Sequence, residues 1–185
     1  MKKELKLSDV RIKLPFHINY GLAAFRIKDI IERRKQDSLQ YDLDFDVYLP
    51  TKGMNLQRPF VWTLFQKQEL ILSILKNLNI STMSFVHHEH KTFQIIDGKQ
   101  RLSAWIGFCR NEFPIIWKDC EYYFKDLDDW GQGELLFSKW VKADVAYEYD
   151  DDLISDDLKI AWFELINFSG TPQDIEHLNK LKSSK

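Results

Sequence analysis

The chain has 185 residues, about one domain's worth, and its 44% hydrophobic and 29% charged residues are ordinary globular usage, which excludes a disordered polypeptide. Lys and Arg number 26 against 28 Asp and Glu, a formal net charge of −2, which argues against strong autonomous binding to duplex DNA by phosphate neutralisation. No apolar run approaches the roughly 18 residues of a membrane span, and no signal-peptide core follows Met1-Lys2-Lys3-Glu4-Leu5, so a soluble, cytoplasmic protein is expected.

The charge is uneven along the chain. Residues 1–36 carry 10 Lys/Arg against 4 Asp/Glu, net +6, and residues 119–159 carry 4 against 13, net −9. The basic front, with Arg33-Arg34-Lys35, is a solvated helix face or a local anion-facing patch. The acidic stretch suits a basic partner or water. Aromatics are abundant, with 13 Phe, 7 Tyr and 6 Trp, most of which a Phe-rich core absorbs. Cys109 and Cys120 are too few for a disulfide framework and are expected to be reduced, half-buried packing residues.

In chain order, residues 22–36 predict a helix with Leu22, Phe25, Ile30 and Ile31 on one side. Residues 37–55 read as loop, with a short strand at Asp46–Leu49 ended by Pro50. Thr63 and Gln66 form a capping box for a helix through Leu64, Leu72 and Leu75. Thr82–Val86 and Thr92–Ile96 predict two strands around the polar turn His88-Glu89-His90-Lys91. A helix follows over Lys99–Arg110, with Asn111 as a left-handed stop. Phe113–Trp117 and Glu121–Phe124 suggest short strands, and Glu134–Trp140 a helix. Ser155 caps a helix over Asp156–Asn167, and Thr171 with Pro172 starts a last one after the break at Phe168-Ser169-Gly170. With no repeat and no Pro/Gly-rich linker, the expectation is one compact α/β (α+β) domain. It comprises a basic helical segment at 1–44, a core at 45–125 and an acidic, mainly helical part at 126–185.

The segment richest in chemistry is Ile95-Ile96-Asp97-Gly98-Lys99-Gln100-Arg101-Leu102. A strand running into a helix through one glycine presents unpaired N–H groups and the positive end of the helix dipole. Gly98 permits close backbone approach, Lys99 and Arg101 add cations, and Asp97 suits a magnesium ion or a water-orienting role. The alternative needs no ligand: Asp97 and Gln100 also fit an N-cap with its capping box. His87-His88-Glu89-His90 invites a metal reading, but a strand sends His87 and His88 to opposite faces. A polar hairpin turn accounts for these residues more simply. Trp62 reads as a packing anchor and Trp105 as core.

Asp97-Gly98-Lys99-Gln100-Arg101 resembles the D-G-Q-Q-R motif of the N-terminal domain of the GmrSD-type restriction family, itself similar to the ParB/sulfiredoxin superfamily. Gln57-Arg58-Pro59-Phe60-Val61-Trp62 resembles that family's Q-R-x-x-V-W box. Leu70-Ile71-Leu72-Ser73-Ile74-Leu75 resembles the helix that follows it. Trp162 to Thr171 resembles the later F-x-x-x-N-x-x-G segment, so the similarity runs over about residues 45–180. The resemblance implies a compact ParB/sulfiredoxin-like domain, a small mixed sheet flanked by helices with a C-terminal helical segment. It also implies that the turn binds a nucleoside triphosphate with Mg2+; in characterised relatives hydrolysis is coupled to sensing modified DNA, and a separate HNH domain cuts.

Carried over by residue, Asp97 is the metal- or water-orienting acid, Gly98 gives backbone access and Arg101 clamps phosphate, Asp97 and Arg101 being the catalytic pair. Gln100 belongs to the same nucleotide-binding turn, Arg58 is a second cation with Gln57 beside it, and Asn167 is a polar contributor at the cleft edge. Lys99 stands where the family motif has its first glutamine, adding charge but displacing a group that positions water. A sulfiredoxin-like thiol mechanism is excluded, because the turn holds no cysteine. No His-x-x-Pro segment of an HNH nuclease is found, so the chain is expected not to cut DNA by itself. It reads as the switch or sensor half of a restriction or phage-defence system, or as a small viral or mobile-element relative. A non-catalytic DNA-binding or adaptor/decoy module acting through a partner nuclease or host protein is the alternative.

Overall fold

The structure is a computed structural model, and it describes residues 18–32, 35–36, 39–40, 42–88, 92–148 and 154–168. Arg33-Arg34, the turn at Glu89–Lys91, and everything expected from Ser169 onward lie outside these residues.

The chain opens on strand β1 (Ile18–Arg26) and a short helix α1 (Ile27–Glu32). Short strands β2 (Lys35–Gln36), β3 (Leu39–Gln40) and β4 (Asp42–Asp44) follow, then the pair β5 (Tyr48–Leu49) and β6 (Met54–Asn55). Helix α2 (Leu64–Leu75) leads into strands β7 (Met83–His88) and β8 (Thr92–Asp97), and β8 runs into helix α3 (Lys99–Cys109). The hairpin of β9 (Ile115–Trp117) and β10 (Cys120–Tyr122) precedes a 3-10 turn and helix α4 (Asp129–Gly133), which continues as a π turn over Glu134–Ser138. Strand β11 (Trp140–Glu148) and helix α5 (Asp156–Phe168) complete the described chain.

Five strands form one mixed sheet in the order β1-β11-β7-β8-β4. β1 lies antiparallel to β11, β11 parallel to β7, β7 antiparallel to β8, and β8 parallel to β4. Side chains alternate across such a sheet, so consecutive residues of one strand feed opposite layers. On one face Phe85 and Ile95 pack with Ile71, Leu102, Trp105, Phe108 and Val141. On the other, Val86 and Ile96 pack with Leu49, Leu56, Ile160 and Phe163. Helices α2 and α3 therefore cover one face, and α5 with the β5–β6 pair covers the other.

The expected α/β architecture is observed, with three local corrections. Residues 22–26 are strand, not helix: Leu22 is 82% exposed while Phe25 is 4%, an alternation hidden by the small residues Ala23 and Ala24 between them. Trp140 begins a strand instead of ending a helix. Val141, Ala143 and Val145 are buried while Lys142 and Asp144 are exposed, a two-residue period that the charged positions obscure. The strand expected at Asp46–Leu49 shortens to Tyr48–Leu49, because Asp44 Oδ1 accepts the N–H groups of Asp46 and Val47 and bends the chain.

The other elements stand close to their expected positions. Thr63 and Gln66 make the capping box, at 2.9 Å for Thr63 N to Gln66 Oε1 and 3.3 Å for Gln66 N to Thr63 Oγ1. Asn111 takes the left-handed conformation at φ +61°, and Ser155 Oγ accepts from Leu158 N. The β9–β10 hairpin turns through Lys118 and Asp119, both at positive φ, which matches the twist of the flanking strands. Cys120, expected to be half-buried, is exposed on this hairpin, whereas Cys109 is half-buried. Trp105 is fully buried, as a core residue should be.

Helix α5 is pinned at its start. Asp156 Oδ2 accepts from Thr51 N at 2.9 Å and from Thr51 Oγ1 at 2.7 Å, and Lys159 Nζ lies 3.7 Å from Asp156 Oδ1. Burial of Lys159 lowers its pKa from 10.5, with Asp156 and Asp44 partly opposing the shift. Between the lowered folded value and 10.5 the unfolded chain binds more protons, so stability rises with pH across that window. In urea unfolding of wild type and Lys159→Met, the difference should therefore move in favour of wild type as pH rises toward 10.5. A difference that stays flat with pH would show that the lysine is not penalised by burial.

Candidate functional site

The site grows out of a sheet defect. The β7–β8 register shifts between Ser84 and Phe85: Phe85 faces Ile95 and Ser84 faces Asp97, leaving Ile96 as the extra residue of a bulge. The other neighbour, β4, pairs only as far as Gln94. Backbone carbonyls at the end of β8 therefore need other donors. Gln57 supplies them: its buried Nε2 donates to Ile95 O at 2.6 Å and to Ile96 O at 2.7 Å.

At Gly98 the strand becomes helix α3. Gly98 sits at φ +107°, a region that L side chains rarely adopt, and a Cβ there would meet Met83 Cγ and Sδ at 2.7 Å. The close approach that requires glycine is thus to the Met83 side chain. Neither Asp97 nor Gly98 caps the helix with a side chain, so the capping-box alternative at Asp97 and Gln100 is not what the structure has. Gln100 is used across the site instead. Its Oε1 accepts from Val61 N at 3.0 Å and Trp62 N at 3.3 Å, and its Nε2 donates to Pro59 O at 3.2 Å. Two glutamines thus fasten the 57–62 loop to the β8–α3 junction, and half-buried Arg58 stands between the fastened positions.

The two cations of the first turn are placed differently. Arg101 turns back to Asp97, with Nη2 2.5 Å from Oδ2, and donates through Nη1 to Ile80 O at 2.6 Å and Ser81 O at 3.3 Å. Its guanidinium thereby joins the junction to the segment before β7, a fork of donors that lysine does not offer. Lys99 is buried, and its Nζ lies 2.7 Å from Asp46 Oδ1. Asp46 has no signal in the sequence, because 53 positions separate the partners.

Asp97, Gly98, Gln100 and Arg101 are therefore brought together with the 57–62 loop, and Lys99 faces Asp46. Asn167 is on α5, across the sheet from α3, and its Nδ2 donates to Phe163 O at 2.9 Å. Cys109 lies at the far end of α3, where burial pushes its thiol up to about 12, so it stays protonated and unreactive at neutral pH. His87 stacks edge-on against Phe93, ring centroids 5.3 Å apart. Beside the site Val61, Leu64 and Phe65 leave 50% or more of their surface exposed, an apolar rim on the loop and the start of α2.

These features define a mixed α/β domain organised around a strand–glycine–helix turn with an arginine–carboxylate pair on its first helical turn. The chain belongs to the family of the GmrSD restriction endonuclease N-terminal domain, whose sequence model matches residues 27–183, and it is a component of that restriction and phage-defence class. Comparisons with curated proteins and with solved structures found no match. Among the described residues, no helix is long and apolar enough to cross a membrane.

The strain at Gly98 is directly measurable. Gly98→Ala should destabilise the domain by about 1–3 kcal/mol in urea unfolding, from positive-φ strain and the Met83 contact. Combined with Met83→Ala, it should cost less than the sum of the two single changes. Strict additivity would place the whole penalty in the backbone.

Proposed function

We propose that this domain binds a nucleoside triphosphate with Mg2+ at the Asp97–Arg101 turn and serves as the switch of a restriction-type system. The observation that carries the reading is a helix start without a side-chain cap, bearing the Asp97–Arg101 pair and fastened to the loop that holds Arg58. N–H groups at such a start, with the helix dipole behind them, suit phosphate oxygens. The guanidiniums of Arg101 and Arg58 are the cations for the remaining charge. Magnesium on a nucleotide needs few protein ligands, because phosphates and waters fill most of its shell, so a single carboxylate suffices. Asp97 fits that role.

The pair is also a latch. Asp97 and Arg101 are partly exposed, at 27% and 17% of their side-chain surfaces, so an arriving phosphate competes for Arg101 and a cation competes for Asp97. Lys99, already joined to Asp46, takes a supporting position, holding the first helical residue against the 44–47 bend. The DNA or nuclease partner expected of such a system is read here as downstream of this switch.

The test is a thermal-shift comparison of the protein with ATP, GTP, CTP and UTP, each with Mg2+, in wild type and Arg58→Ala. Ligand at about one hundred times Kd should stabilise the wild type by on the order of 2.7 kcal/mol. Arg58→Ala should lose most of that ligand-induced shift. Absence of a shift with all four nucleotides would overturn the reading. Arg101→Ala is a poorer first variant, since it also deprives Ile80 and Ser81 of their donor.

A further inference from the structure

At the C-terminal end of α2, away from the 57–62 loop, a groove of about 470 Å3 opens between that helix, the β9–β10 hairpin and residues 126–128. That volume is within the usual range for ligand pockets. Its apolar lining comes from Leu72 and Leu75 of α2, Ile115 of β9, and Leu127. Trp117 and Tyr122 of the hairpin also line it, with 47% and 36% of their surfaces exposed. We propose that this groove docks a basic peptide segment of a partner protein. One large apolar side chain of that segment enters the groove, and its Lys or Arg neighbours meet Asp126 and Asp128.

The walls are in place before any partner arrives. Ile115 is buried in the main core, and Leu72, Leu75 and Leu127 pack against that core. The chain between the hairpin and α4 is held by polar bonds at its back. Asp126 Oδ2 accepts from Tyr123 N at 2.9 Å, Asp128 Oδ1 from Gly131 N at 2.8 Å, and Asn111 Oδ1 from Lys125 N at 2.8 Å. A groove formed in advance avoids most of the ordering cost of association. Trp and Tyr beside an apolar pocket are also the residue types that carry most of the energy of protein interfaces.

Charge selects the occupant. Residues 118–129 hold five Asp and Glu against two Lys, net −3, and the groove lies at the partially negative end of the α2 dipole. Asp126 and Asp128 both line it. Each uses one oxygen in the backbone bond described above, and the other has no partner among the described residues. The neighbouring lysines do not neutralise them. Lys76 Nζ lies 5.9 Å from the Trp117 ring centroid and Lys125 Nζ 5.8 Å from that of Tyr123. Lys76, Lys118 and Lys125 form no ion pair among the described residues. Nucleic acid would meet these carboxylates with like charge, as would a second copy docking through the same face. A segment that is apolar at its centre and basic at its flanks complements both features.

The experiment titrates the 15N-labelled full chain with acetyl-Lys-Lys-Phe-Leu-Lys-Lys-amide and follows the Trp117 indole N–H resonance, assigned by its loss in Trp117→Phe. This peptide should move the resonance saturably. Its counterpart with Glu at the charged positions should not, and the one with Ser at the apolar positions should bind more weakly. Asp126→Asn and Asp128→Asn keep a side-chain oxygen for the Tyr123 and Gly131 N–H groups, so each removes charge without removing the local bond. Each should weaken the basic peptide by up to about fivefold, the range of an exposed ion pair, and the double variant by more. Arg58→Ala should leave this response intact, so failure here and failure at the nucleotide turn are read separately. No saturable movement with the basic peptide would overturn the proposal, as would equal affinity for the acidic peptide or undiminished affinity in the double variant. Movement by a short DNA duplex in place of the peptide would also overturn it, assigning the face to nucleic acid. So would a dimer in light scattering that the double variant dissociates, which would assign the face to a second copy.

Discussion

A strand that ends one residue before a helix leaves backbone groups unpaired on both sides of the break, and this fold is arranged around satisfying them. The bulge at Ile96 and the early end of β4 leave the last β8 carbonyls to the Gln57 amide. The 57–62 loop then finds an acceptor and a donor in Gln100, on the first turn of α3. Carbonyls preceding β7 take the Arg101 guanidinium. Three segments far apart in sequence thus converge because three long polar side chains meet one stretch of interrupted ladder. Each buried group left without a partner would carry a penalty of about 1–3 kcal/mol, so the convergence is enforced by cost as well as by attraction.

Much of this was legible in the sequence, and the limits have physical causes. The Thr63–Gln66 box, the β7 and β8 strands, and helix α3 with its Asn111 stop all depend on neighbours within a few residues, which a linear reading captures. Strands β1 and β11 escaped because each has charged or small residues on its outer face, and Ala-rich alternation such as Leu22-Ala23-Ala24-Phe25 fits a helix as well as a strand. Their mutual pairing over nine residues settles the matter, and that is a tertiary fact. The turn itself was visible as a motif. The partners that give its residues their roles were not, since Asp46, Met83 and the 80–81 carbonyls lie between 15 and 53 positions away.

The same distinction separates residue identity from residue role. Glycine at position 98 was expected for access to a ligand, yet the Cβ direction is filled by Met83, so glycine is required by the core before any ligand is considered. Lysine at position 99 was expected to add a cation to the phosphate-binding turn, yet it is buried against Asp46. Its charge is balanced where it stands. The family motif therefore does two kinds of work here. Gly98, Lys99 and Gln100 build the junction, and the Asp97–Arg101 pair, like Gln100, keeps part of its surface open to solvent.

On the proposed reading, that division makes a single arginine the natural point of control. Arg101 is a multiple donor, joined at once to a carboxylate and to carbonyls of the segment leading into β7. A guanidinium exchanging its carboxylate for a competing oxyanion keeps the fork that holds Ile80, so the junction need not unfold to respond. A lysine there would offer one ammonium to all these acceptors and would have to abandon one contact to gain another. The fold thus holds a partly exposed ion pair on a residue whose remaining donors keep the surrounding segments in place, which is the physical requirement for a local change that leaves the core intact.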